Sequence, residues 1–248
     1  MPQDLYTPKT VPVAETALRS RIDLLRCRAQ LAEIVGWKVA LNSPAVQRHL
    51  GLSGPLIDCL TQATVRSQEE PISLAPGRQY LVEAEPFLTL ACDLPLNPSL
   101  RDCHDAIGQV GLAIEILDFT PGPLPLESIL ANNTYHYAAI LGPTAAPGAI
   151  PTTDELTLCL RVGNLAERLI DHSLVVGEFP DVLIFVARLA DGAGRRLLKD
   201  DVVLCGSLNS ATPVKAGETI SAQLDPFGTL CLATIPVDAG PPRHGGTQ

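Results

Sequence analysis

The chain has 248 residues, 46% of them hydrophobic, and a formal net charge of -9 at pH 7, from 18 Lys and Arg against 27 Asp and Glu. That length and apolar content suffice for a sizeable core, and no stretch approaches the roughly 18 uninterrupted apolar residues of a membrane span. An acidic chain without a basic cluster excludes nucleic acid and anionic membranes as partners, because both need concentrated Lys or Arg.

The N-terminus carries Asp4 and prolines at positions 2, 8 and 12, without the basic-then-apolar layout of a signal peptide, so a cytoplasmic protein is expected. The seven cysteines are scattered and never form a C-x-x-C pair. Buried thiols are expected rather than a disulfide framework or a zinc site.

In chain order, Ala14, Leu18, Ile22, Leu25 and Leu31 recur at near-helical spacing and predict an amphipathic helix over 13–35. Gly36–Leu41 reads as a strand. Ser43-Pro44 and Gly51 then bracket a short helix, with a cap, a proline at its first position and a glycine stop. Short strand-like pieces follow at Ile57–Leu60 and Ile72–Leu74, and a longer strand is expected over Gln79–Cys92. Asn97-Pro98 opens a short helix through Leu100 and Ile107. Val110–Asp118 is a strand, with Leu112, Ile114 and Ile116 on one face and Ala113, Glu115 and Leu117 on the other. Leu126–Asn132 predicts a helical turn, Tyr137–Leu141 a strand, and Leu156–Val162 a strand entering a Gly163-Asn164 turn. Pro180–Ala190 reads as a buried helix with Gly192 beyond its end. Val202–Ser207 is an apolar strand ending in small residues. A last hairpin pairs Thr219–Leu224 with Thr229–Ala233. Many short strands with few helices predict an α+β, β-dominated fold in one domain over residues 1–237, followed by a disordered Gly/Pro-rich tail at 238–248.

One segment stands out: Leu81-Val82-Glu83-Ala84-Glu85-Pro86-Phe87-Leu88, two carboxylates separated by one small residue in an apolar run. In a strand both project to one side, about 7 Å apart. Two like charges on a partly buried face repel, and each costs several kcal/mol out of water unless a cation or proton relieves it. A hard divalent cation would relieve both, whereas the wet face of an edge strand, where Pro86 is also tolerated, would need no ligand.

With several pieces in order, the chain resembles the fumarylacetoacetate hydrolase superfamily, in its 2-keto-4-pentenoate hydratase and 4-oxalocrotonate decarboxylase branch. The matching residues are Gly36-Trp37-Lys38-Val39-Ala40-Leu41, Val46-Gln47 with Leu50-Gly51, Glu83-Ala84-Glu85, Ile114-Glu115-Ile116-Leu117-Asp118, Ala131-Asn132-Asn133, Gly206-Ser207, and Pro213-Val214 with Ala216-Gly217-Glu218. The resemblance implies a mixed β-sheet roll with short flanking helices, assembled as a homo-oligomer. It also implies a lyase that binds Mg2+ or Mn2+ through Glu83, Glu85 and Glu115, with Lys38 catalytic and Ser207, Asn132 and Asn42 contacting substrate. The substrate would be a small 2-hydroxydienoic or 2-oxo acid, hydrated through a dienolate held at the metal. A 2-oxo acid decarboxylase, an acylpyruvate C–C hydrolase, a tautomerase and a non-catalytic ligand-binding homologue are the alternatives.

Three departures fall on working positions. Alignment through Pro55 places Ala63 where relatives carry an aspartate, with Asp58 the nearest acid five positions early. The usual A-D-N reads Ala131-Asn132-Asn133, and the usual G-L-T reads Ala40-Leu41-Asn42. Loss of proton-transfer acids would harm hydration more than decarboxylation, because hydration must also deprotonate a water. The small-residue run Asn209-Ser210-Ala211 also leans toward the decarboxylase side. No histidine stands out: His49, His104, His136 and His172 all read as structural or exposed.

Overall fold

The computed structural model describes residues 33–145, 150–165 and 167–237. Most of the helix expected over 13–35 and the tail at 238–248 lie outside the described residues. Ile34 and Val35 belong to a strand.

The larger sheet is mixed and runs in the order β2 (Leu56–Thr61), β1 (Ile34–Ala40), β10 (Val202–Leu204), β5 (Tyr80–Leu90), β6 (Ile107–Asp118), β7 (His136–Ala145) and β3 (Val65–Ser67), with β11 (Thr212–Val214) also pairing β5. β1 lies parallel to β10 and β7 parallel to β3, while the long central pair β5 and β6 is antiparallel. A smaller sheet runs β4 (Ile72–Leu74), β13 (Gly228–Pro236), β12 (Thr219–Asp225), β8 (Thr157–Val162) and β9 (Arg168–Leu169).

Strand alternation divides the large sheet into two faces. Val82, Ala84 and Leu88 of β5, with Leu112, Ile114 and Ile116 of β6, join one core with Leu158 and Leu160 of β8, Ile220 and Leu224 of β12, and Leu230 and Leu232 of β13. Burying each such side chain contributes about 1.5–3 kcal/mol, which holds the two sheets together. Among the described residues four short helices flank them: α1 (Pro44–Leu50), α2 (Leu100–Ala106), α3 (Leu126–Ala131) and α4 (Phe179–Gly192). α1 closes as expected on Gly51 in the left-handed region, although Ser43 makes no side-chain cap. α2 starts at a capping box of Ser99 and Asp102, two residues later than Asn97-Pro98 predicts, because Asn97 is itself left-handed. α4 runs on through Gly192, and Gly194 supplies the left-handed residue beyond it.

The other face of the large sheet is also buried, because the sheet curls. Its two edge strands, β2 and β3, are joined by only Gln62, Ala63 and Thr64, and the Thr64 carbonyl accepts from the Ala139 amide. The edges therefore meet, and the sheet forms a roll with a narrow interior. Close approach is demanded at Gly36, where any Cβ would lie 2.1 Å from the Val202 carbonyl oxygen. Trp37 points into the main core and donates Nε1–H to Asp201. Of the cysteines, Cys59, Cys103 and Cys205 are buried as expected, but Cys92 and Cys231 are exposed. Among the described residues no helix is long and apolar enough to cross a membrane.

Candidate active site

The interior of the roll is layered. Its floor is apolar: Leu60, Phe87, Ala113, Ala139, Val202 and Leu204 form a separate buried cluster. One step along each strand comes a charged layer. Lys38 stands opposite Asp58 on β2 and Leu204 on β10, and Glu83 stands directly opposite Glu115. Glu85 lies between Phe87 and Glu83 on the same face of β5, so Asp58, Lys38, Glu85, Glu83 and Glu115 share the interior. A further step reaches an apolar rim, where Leu117 and Tyr135 pack with Leu41, Leu81 and Phe119.

The charged layer is almost wholly enclosed. Lys38 is 1% exposed, Asp58 2%, Glu85 0% and Glu115 2%, while Glu83 is half-buried. Lys38 Nζ donates to Glu115 Oε1 at 2.6 Å, and His136 Nδ1 sits 2.6 Å from the same oxygen. Glu85 Oε2 accepts the Gly206 amide at 2.7 Å, and Gly206 takes a φ of 97° that favours glycine. Glu85 Oε1 is buried with no partner.

These contacts split the acids. Burial pushes Glu83 up to about 8, with the charge of Glu115 adding to the rise and Lys38 opposing it. Burial likewise holds Glu85 well above the usual carboxylate range, helped by Glu115 and Glu83. For Glu115 burial acts in the same direction, but Lys38 and His136 outweigh it and bring the group down to about 2. Burial works against the Lys38 charge, yet Glu115, Asp58 and Glu85 together raise it. Lys38 and His136 thus offset Glu115, while burial in a low-dielectric interior keeps protons on Glu83 and Glu85. Among the described residues no three acid, His or Cys side chains converge as a ready-made ligand set; Glu115 is turned toward Lys38 and His136.

The structure brings Lys38, Glu83, Glu85 and Glu115 together. It does not bring Asn132, which is exposed and donates to the Ser128 carbonyl of its own helix. The buried amide is the neighbouring Asn133, which donates to the Cys59 carbonyl on β2. Ser207 is buried, but its hydroxyl donates locally to the Asn209 carbonyl; it is the Gly206 amide that reaches the acids. Asn42 is a brace, donating to the carbonyls of Leu174 and Ser207.

Two residues escaped the sequence reading. Ala63 lies in the exposed turn that closes the roll, whereas Asp58 faces Lys38 inside it, so an acid is present after all. Counting strand alternation back from the lysine pairing, rather than aligning through Pro55, would have found it. His136 is the other. β7 carries a bulge where it passes Ile116 and Leu117, so Ala138 pairs with Ile116 but His136 with Leu117. The extra residue turns Tyr137 to the core side, against Tyr80, and brings His136 into the interior. Plain alternation from Ala139 would do the reverse.

The same roll occurs in solved structures. The 4-oxalocrotonate decarboxylase of Pseudomonas putida G7, complexed with magnesium and adipate, superposes with a TM-score of 0.76 at 21% identity, covering 88% of this chain and 85% of that one. The fumarylpyruvate hydrolase of Pseudomonas aeruginosa, in complex with Mn2+ and pyruvate, gives a TM-score of 0.65 at 16% identity, covering 81% and 89%. Curled sheet and acidic interior define a fumarylacetoacetate hydrolase-type fold. No family model matches the chain, but curated relatives do. The 2-keto-4-pentenoate hydratase of Burkholderia vietnamiensis is 30% identical over 203 residues, 79% of this chain and 76% of that one. The TodF product hydratase of Pseudomonas putida is 26% identical over 229 residues, 89% and 85%. The chain belongs to the 2-keto-4-pentenoate hydratase family of the fumarylacetoacetate hydrolase superfamily, and is an enzyme of hydratase type with decarboxylation the alternative chemistry.

Proposed function

We propose that the chain is a divalent-metal-dependent lyase that adds water to a small 2-hydroxydienoic or 2-oxo acid, with Glu83, Glu85 and Glu115 holding Mg2+ or Mn2+. The observation that carries this reading is the enclosed layer of four carboxylates around Lys38. Its donors are hard oxygens, the preferred ligands of such ions. The unpartnered Glu85 Oε1 and the protons retained by Glu83 and Glu85 are what an entering cation would satisfy and displace. Two solved neighbours described with magnesium or manganese support the same choice. When bound, the cation supplies electrostatic stabilisation for negative charge developing on the oxygens of a 2-oxo acid.

The protein's own groups do the rest. Lys38 keeps Glu115 ionised and is the cation facing the reacting acid. Asp58, opposite Lys38, is positioned to exchange a proton with a substrate or water. The Gly206 amide fixes one oxygen of Glu85. The floor of Phe87 and Leu204 keeps bulk water out of the layer. The presence of Asp58 favours hydration over decarboxylation, because hydration needs a proton-transfer group beside the electron sink. A homo-oligomer belongs to the same reading, on the strength of the family resemblance.

The test is turnover of the purified protein with Mg2+ against a panel of 2-hydroxydienoates and oxaloacetate-like acids. Hydration of a dienoate is expected. No turnover while oxalate still binds would leave a ligand-binding homologue, and carbon dioxide release alone would make it a decarboxylase. Glu83→Ala should abolish Mg2+ binding in calorimetry with the fold intact; retained affinity would sink the ligand assignment.

A further inference from the structure

We infer that His136 is a positioning residue of the metal site: by pinning one oxygen of Glu115 it leaves the other as the one presented to the cation. The inference rests on the metal reading above and adds a residue to it.

The His136 side chain is 0% exposed and its Nδ1 lies 2.6 Å from Glu115 Oε1. An ionised carboxylate only accepts, so Nδ1 carries the proton and donates it. Lys38 Nζ meets the same oxygen at 2.6 Å. With two donors on Oε1, Oε2 is the oxygen left for an ion. The two donors are not equivalent. Lysine is a point charge on a four-carbon stem that can swing toward a substrate, whereas imidazole is rigid and directional. The β7 bulge is what puts the ring there, since regular pairing would place Tyr137 in the interior and His136 in the core. When Lys38 turns to substrate, His136 still holds Glu115 in place. Partners that orient a ligating group in this way typically carry about 10- to 100-fold in metal affinity.

The experiment is the Mn2+ dissociation constant, read from the free-ion EPR signal, for wild type and three variants. His136→Phe keeps a ring without a donor, His136→Asn places an amide N–H where Nδ1 stands, and His136→Gln places it where Nε2 stands. His136→Phe and His136→Gln are expected to weaken Mn2+ binding about 10- to 100-fold, with His136→Asn within a few-fold of wild type. Wild-type affinity in a folded His136→Phe overturns the inference. Should that variant not fold, equal affinities for His136→Asn and His136→Gln overturn it. A nitrogen coupling to bound Mn2+ in electron spin-echo spectra would make His136 a ligand instead and also overturn it. If wild type itself binds no Mn2+, the metal reading fails first and takes the inference with it.

Discussion

The sharpest consequence of the buried acid layer concerns Glu83→Gln. Glu83 titrates from an ordinary value of 4.5 up to about 8 because it is buried opposite ionised Glu115. Without metal, the folded protein holds a proton at Glu83 that the unfolded chain has lost. For an acid with a raised pKa, that makes stability fall as pH rises through the window from 4.5 to about 8. At 1.36 kcal/mol per pH unit the cost at pH 7 would be about 3 kcal/mol; part exposure of Glu83 and relaxation reduce it to about 2 kcal/mol. Gln has nearly the shape of the protonated acid and does not titrate. In EDTA, Glu83→Gln is therefore expected to raise the melting temperature by about 4–8 °C at pH 7, more at pH 8, and by nothing at pH 4.5. Metal reverses the order. Mg2+ at 100 times its dissociation constant adds about 2.7 kcal/mol to wild type and little to the variant. Melting curves from pH 4.5 to 8.5, in EDTA and in Mg2+, check both halves. A gap in EDTA that does not grow with pH would refute the argument that desolvation and Glu115 hold the proton on Glu83.

Lys38→Met removes the ammonium paired with Glu115 in the interior, and breaking such a buried pair should cost about 3–5 kcal/mol at pH 7 along with turnover. Because Glu115 is depressed to about 2, the pair's contribution is present above pH 4.5 and lost as pH falls toward 2. Denaturant unfolding should therefore show the wild-type advantage shrinking in acid, and an unchanged rate would make the lysine purely structural. Asp58→Asn should slow hydration by about 10²–10⁴-fold while oxalate and Mg2+ bind as before. Hydration at the wild-type rate would remove Asp58 from the proton-transfer role.

The sequence by itself determined the parts that depend on local periodicity. Alternation in β5 puts Glu83 and Glu85 on one face, alternation in β6 puts Glu115 opposite the greasy face, and the glycine stop after α1 and the last hairpin follow from turn chemistry. Only the tertiary structure decided what encloses that face. The three-residue turn Gln62–Thr64 joins the sheet's edges, and that closure turns a half-wet strand face into an interior where carboxylates lose water and their pKa values separate. The register of β1 against β2 decides which residue faces Lys38, selecting Asp58 and leaving Ala63 in the turn. Chain-end geometry sends Asn132 outward and Asn133 inward, since a helix terminus has no fixed side-chain period. The bulge in β7 brings His136 to Glu115, because one inserted residue reverses every inside-outside assignment beyond it. Side-chain pattern encodes which face a residue takes within a regular strand; where strands close, end or bulge, the face is set by long-range pairing that no local pattern carries.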